Sequence, residues 1–262
     1  MNTEIVTLDL STRRKSIIGY SLGMAGYVVV VVALYPSFKD ATNLDQLSKD
    51  SPGVAALFGI SGSLTSPTGW LSANIYANFF PLLMLLITIG YGATSLAGQE
   101  ADGHLELVLS LPFLRSSVVA QKVAALALQA AAFSAIVFGS AIVGRAFELT
   151  VDFGNLTTAT LAVGMLGVDF GLLALAIGAA TGARGTAIAI SSAAAAASYL
   201  ISSMTPLVSW LGSAKYASLF YWSVGDRQLE QGLTVGAFAV LLGVAIILIV
   251  VALKAFRRHD LS

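Results

Sequence analysis

Residues 98–122 read "GQEADGHLELVLSLPFLRSSVVAQK", a charged, proline-containing segment set between two long uncharged runs. A bilayer crossing needs about 20 mainly apolar residues, because a helix must satisfy its own backbone groups where no water reaches. The runs on either side of the segment each supply that length. The segment therefore reads as a connector between two spans, and the rest of the chain is read outward from it.

Six runs qualify as spans: Ile17–Pro36, Ile75–Leu96, Val123–Val143, Thr158–Ala180, Ile188–Trp210 and Val235–Leu253. The expected fold is an all-α polytopic membrane protein. Nothing from Ser51 to Gln99 is charged, but its glycine, serine and proline content argues against one continuous helix. Leu44 to Leu71 is expected to be an outer loop, partly helical. Composition agrees: of 262 residues, 56% are hydrophobic and 11% charged, against roughly 25% charged in a soluble domain.

Formal net charge is zero, so no basic field points to nucleic acid. The chain has no cysteine, which excludes disulfides, thiolate metal sites and a cysteine nucleophile. No small-residue cleavage site follows the first apolar run, so that run is expected to be kept as a span.

Orientation follows from the distribution of Lys and Arg in short loops. Arg13, Arg14, Lys15, Arg115, Lys122, Arg184, Lys254, Arg257 and Arg258 fall on the side of both termini; Lys39, Lys49, Arg145, Lys215 and Arg227 fall on the other. The excess predicts cytoplasmic termini, with residues 254–262 as a cytoplasmic tail and 98–122 as a cytoplasmic loop. Residues 1–16 fit two readings, a helix lying along the inner surface before turning into the first span, or a disordered tail with anchoring arginines.

Within the connector, Glu100, Asp102 and Glu106 hold its start in water and Gly103 permits a bend. Leu105, Leu107, Val108, Leu109 and Leu111 form an apolar strip, and Pro112 ends or kinks the helix it forms. Arg115 and Lys122 return the chain to the membrane face. A surface helix that merely joins spans would satisfy amphipathicity alone, but the pattern Glu-x2-Gly-x2-Glu-Leu-x-Leu-Ser-x-Pro-x2-Arg is more specific than that.

On this motif the sequence resembles the membrane subunits of ABC-2-type transporters, the type II ABC exporter permeases. Glu100, Gly103, Glu106, Leu107, Leu109, Ser110, Pro112, Arg115 and Lys122 fall where that family's pattern expects them. The resemblance extends to about the whole chain, residues 1–262, as one permease domain. It implies an N-terminal interfacial helix, a coupling helix in 98–122 that docks on an ATPase subunit, and an outer re-entrant segment before the last span. It further implies two copies of a separate ABC ATPase and a second permease copy or related chain, in the inner (plasma) membrane of a bacterium. No G-x4-G-K-[ST] phosphate loop occurs, so ATP and Mg are expected on the partner and no cofactor in this chain.

The function implied is outward movement of an amphipathic molecule, an antibiotic or other drug, a lipid or a lipid-linked glycan. Drug export leads, because the spans lack a dense polar groove for long glycans. "SANIYANFFP" and "YLISSM" mix amides, hydroxyls and aromatics in apolar helices, with Asn74, Tyr76, Asn78, Phe79, Phe80, Tyr199 and Met204 as candidate pathway residues. Interfacial anchoring by aromatics is the competing account. "SAKYASLFYWSVGDRQLEQG" fits either the outer re-entrant segment or an aromatic belt.

Asp169 is the one acidic residue near the middle of a span. A charge there costs about 2.5–3.5 kcal/mol on insertion scales. It either lines the pathway or fixes helix packing by a hydrogen bond, with Asn74, Asn78, Gln129 and Tyr199 as candidate neighbours. Gly167, Gly171, Gly178 and Gly182 on the fourth span, Gly19 and Gly23 on the first, and "SSAAAAAS" on the fifth read as close helix packing. In the resembled family the first and fifth spans lie near the subunit interface.

Two other classes fit parts of the sequence. An ATP-independent six-span carrier or channel needs polar or broken helices near the midplane, which Asp169 beside glycine would suit. An intramembrane serine protease would use Ser61 in "GISG", but His104 and His259 map to the opposite side, and no H-E-x-x-H zinc motif exists.

Overall fold

The computed structural model describes residues 4–41, 53, 63–98, 115–205, 207–208, 212–225 and 228–258. The elements are α1 (Glu4–Phe38), α2 (Pro67–Gly98), α3 (Arg115–Ile142, continued by a tighter turn Val143–Phe147), α4 (Phe153–Thr181), α5 (Arg184–Met204), α6 (Leu219–Ser223), α7 (Gln228–Gln231) and α8 (Val235–Arg258). Six of them, α1 to α5 and α8, are long and apolar enough to cross a membrane. The all-α, six-span fold read from the sequence is the observed one. Among the described residues there is no strand.

The helices alternate in direction. The start of α1 and the ends of α2, α4 and α8 share one apolar cluster, in which Ile5 and Leu96 meet Leu175 and Phe256. At the opposite end Tyr35, Leu71, Leu149 and Leu229 belong to another. The chain's first and last helices thus present their outer ends on the same side.

Residues 4–16 are helical and run into the first span without a turn. The 35 residues of α1 measure about 52 Å at the α-helical rise, against about 30 Å for a hydrocarbon core. Ile5, Val6 and Asp9 point inward and are buried. The second span starts earlier than its hydropathy suggests. Ser66 caps it by accepting from the Gly69 N–H at 3.1 Å, and Pro67 occupies the first turn, where its missing N–H costs nothing.

α4 is the central post, packed against α2, α3, α5 and α8. Its glycines explain why. A Cβ at Gly92 of α2 would stand 2.1 Å from the Gly171 carbonyl oxygen of α4, and one at Gly167 would stand 2.2 Å from Met84 Cγ. The two backbones approach closely only because both positions lack side chains. Gly178 makes ordinary contact, and Gly182 ends α4 at φ +62° with its N–H on the Gly178 carbonyl. Gly19 and Gly23 on α1 face open space, as do most of the alanines of α5.

The segment before the last span forms short pieces, including α6 and α7. Ser218 Oγ donates to the Ser198 carbonyl at 2.6 Å, and the Phe220 N–H donates to Ser198 Oγ, which fastens α6 to α5. Asn155 Nδ2 donates to the Glu230 carbonyl, which fastens α7 to α4.

The α2–α4 approach predicts that Gly92→Ala destabilises the protein by about 1–3 kcal/mol or more, as overpacking does. Gly139→Ala, whose Cβ meets nothing within 4 Å, should be close to neutral. Thermal unfolding of the two purified variants in detergent checks this, and equal midpoints would rule out the contact.

Candidate functional site

A cavity of about 840 Å³ lies among α1, α2, α5 and α6. Its making begins with an irregular α2. The Ala77 N–H bonds the Ser72 carbonyl five residues back, at 2.8 Å, giving one wide turn. Asn78 then leaves helical geometry (φ −128°, ψ −79°), and Pro81 follows in the first turn of the resumed helix. The break lets Asn74, Asn78 and Phe79 face the cavity together while Tyr76 and Phe80 turn into the core.

Aromatic rings line the rest. Tyr27 of α1 sits 4.7 Å from Phe79, centroid to centroid, and its hydroxyl donates to the Asn74 carbonyl at 3.1 Å. Tyr199 of α5 meets Phe220 of α6 edge-on at 5.3 Å and donates its hydroxyl to Asn78 Oδ1 at 3.2 Å. Asn78 Nδ2 donates to the Ala73 carbonyl, so its amide is held in place. The result is an apolar chamber with a few oriented polar groups, the usual character of a small-molecule site.

Of the candidate pathway residues, Asn74, Asn78, Phe79 and Tyr199 are thus brought together around one cavity. Tyr76 is not among them; its hydroxyl pairs with Thr160 Oγ1 at 2.7 Å, and its ring packs edge-on against Phe80 in the core. Met204 is half-buried at the end of α5, outside the cavity lining. Asp169 lines a different cavity, and among the described residues neither of its oxygens has a hydrogen-bond partner. Of the neighbours expected for it, Asn74, Asn78 and Tyr199 line the first cavity, and both amide atoms of buried Gln129 are without partners among the described residues.

At the end that holds the N-terminus, the connector's last residues are locked in place. Lys122 Nζ donates to both oxygens of Asp9 at 2.9 Å, and the Tyr91 hydroxyl donates to Asp9 Oδ2 at 2.5 Å. Gln121 Oε1 accepts from the Ile5 N–H at 3.1 Å. Arg13 lies 5.3 Å over the Tyr91 ring and bonds Thr94 Oγ1. Lys122 and Asp9 are almost wholly enclosed, with side chains 1% and 8% exposed. Of the other expected coupling residues, Arg115 opens α3, while Glu100, Gly103, Glu106, Leu107, Leu109, Ser110 and Pro112 lie outside the described residues.

A family model described as "Multidrug efflux system permease Rv1217c, C-terminal domain" matches residues 3–257. The chain belongs to this family. It is a family of ABC-2-type permeases, so the resemblance carried by the connector holds. No curated protein sequence matches the chain.

The permease is accordingly a membrane protein and a transport subunit rather than an enzyme, working with other transporter components. Sequence reasoning missed Tyr27 and Phe220 in the cavity, and Asp9, Tyr91 and Gln121 in the network. Asp9 carried a readable signal. It falls four residues after Ile5 and three after Val6, and four before Arg13, so an acid stands on one helix face between apolar residues and a base.

Removing one partner of an enclosed ion pair strands the other charge, at a cost of about 3–5 kcal/mol. Asp9→Asn and Lys122→Met should each destabilise the permease by that order, and the double variant should recover part of the loss. A double-mutant cycle on unfolding in detergent tests this, and strict additivity would refute the pairing.

Proposed function

We propose that this permease is the membrane-spanning subunit of an ATP-driven exporter of amphipathic, drug-like molecules. The observation that carries the reading is the cavity among α1, α2, α5 and α6. Its volume lies in the range of about 300–1,000 Å³ usual for small-molecule sites. Its aromatic walls suit an apolar body, while Asn78 and Tyr199 supply few and fixed polar contacts. The multidrug efflux named in the family description fits such a chamber. A long glycan would need a denser row of polar groups.

In this reading the termini and residues 98–122 face the cytoplasm, in the plasma membrane of a bacterium. Two copies of a separate ABC ATPase bind ATP and Mg, and a second permease copy or related chain completes the transport unit. Glu100 to Arg115 supply the segment that docks on the ATPase, and α6 and α7 cap the outer end of the pathway.

The Asp9 network supports a route for force. A push on the connector reaches Gln121 and Lys122, and through them α1 at Ile5 and Asp9 and α2 at Tyr91. Those helices also carry Tyr27, Asn74, Asn78 and Phe79. The ATPase stroke would therefore move two walls of the cavity together. Inward and outward states need differ by only a few kcal/mol for nucleotide to bias them.

The test is reconstitution in liposomes with the ATPase. Losing the Tyr199 hydrogen bond and ring contact is worth about 1–2 kcal/mol, so Tyr199→Ala should lower drug export about tenfold with the complex intact. Glu106→Lys should abolish drug-stimulated ATP hydrolysis while the spans still insert. Drug movement by the permease alone, driven by an ion gradient, would overturn the ATP-coupled reading in favour of a carrier.

A further inference from the structure

A second cavity, of about 420 Å³, lies among α3, α4 and α8 and shares no lining residue with the first. Its walls are hydrocarbon, with Phe138, Met165 and Leu242 prominent among them. Ala131, Leu161 and Leu242 are exposed on the outside of the bundle, so the cavity opens sideways onto the apolar surface. Set in that wall is Asp169, only 1% exposed. Among the described residues its two oxygens have no hydrogen-bond partner, and neither does the hydroxyl of Ser134, which also lines the cavity.

A carboxyl group enclosed in hydrocarbon without a partner is costly, and such groups are kept where something arrives to meet them. α3, α4 and α8 place no Lys or Arg on the cavity wall. Among the described residues lining the cavity, then, nothing supplies a counter-charge. A lateral opening, apolar walls and a single acidic group together complement a molecule with a hydrocarbon body and one positive centre.

We propose that this cavity is a second binding site, for lipophilic ammonium compounds that enter from the membrane, with Asp169 meeting the ammonium and Ser134 Oγ accepting a further N–H. The site does not depend on the ATP-coupled reading above. It requires only the folded permease, and it is separate from the chamber that holds Tyr199.

The probes are tritiated adamantylammonium and its uncharged counterpart adamantanol, bound to the purified permease in nanodiscs and corrected with empty nanodiscs. A hydrogen bond to a charged group, left without its partner, predicts that the permease binds the ammonium at least about tenfold tighter than the alcohol. Asp169→Asn should remove that preference and leave adamantanol within about twofold. Ala131→Trp, at the exposed mouth, should weaken both, and it keeps the test decisive if the Asp169 variant fails to assemble. Tyr199→Ala should leave the preference intact. The proposal falls if the permease shows no preference for the ammonium, if Asp169→Asn keeps it, if Ala131→Trp leaves ammonium binding unchanged, or if Tyr199→Ala abolishes it. None of these results bears on whether ATP drives export through the first cavity.

Discussion

The close approach of α2 to α4 at Gly92 and Gly171 is the constraint on which the bundle depends. Helices in hydrocarbon gain nothing from burying apolar surface against one another, since lipid tails are equally apolar. Association rests instead on fit, and fit is best where two backbones can touch. α4, gripped in this way by α2, becomes the post that α3, α5 and α8 surround. α1 is held from outside by α3, and the enclosed Asp9 cluster is its buried ionic attachment.

That arrangement separates two kinds of polar chemistry. Asp9, Tyr91 and Lys122 satisfy one another, so their cluster is a fastening. Asp169 is satisfied by nothing in its surroundings among the described residues, so its position is an invitation. The distinction is physical: both lie in largely apolar surroundings, but only one is complete without a ligand.

The six spans were legible because their signal is local: length and apolarity read off a single run of residues. The outer limits were less so. α1 and α2 begin before their apolar windows, at Glu4 and Pro67, where capping and packing rather than hydropathy decide the helix. Four residues of the larger cavity, Asn74, Asn78, Phe79 and Tyr199, were legible as polar or aromatic interruptions of an apolar helix. Tyr76 and Phe80 were misdirected by the same signal, because the wide turn at Ser72–Tyr76 shifts the faces of α2 in a way that a regular period does not anticipate. The Asp9–Lys122 pair joins residues 113 apart, and no local pattern records such a partnership. The connector motif was the most informative stretch for family and the least for geometry, since most of it lies outside the described residues.

The interruption of α2 has one more effect. Pro81 has no N–H to offer the carbonyl four residues back, that of Ala77, and both residues border the larger chamber. A bend fixed by a proline ring belongs to the main chain and not to the side chains around it. Exchanging Asn78 or Phe79 would alter what the chamber presents and leave the angle of that wall as it is.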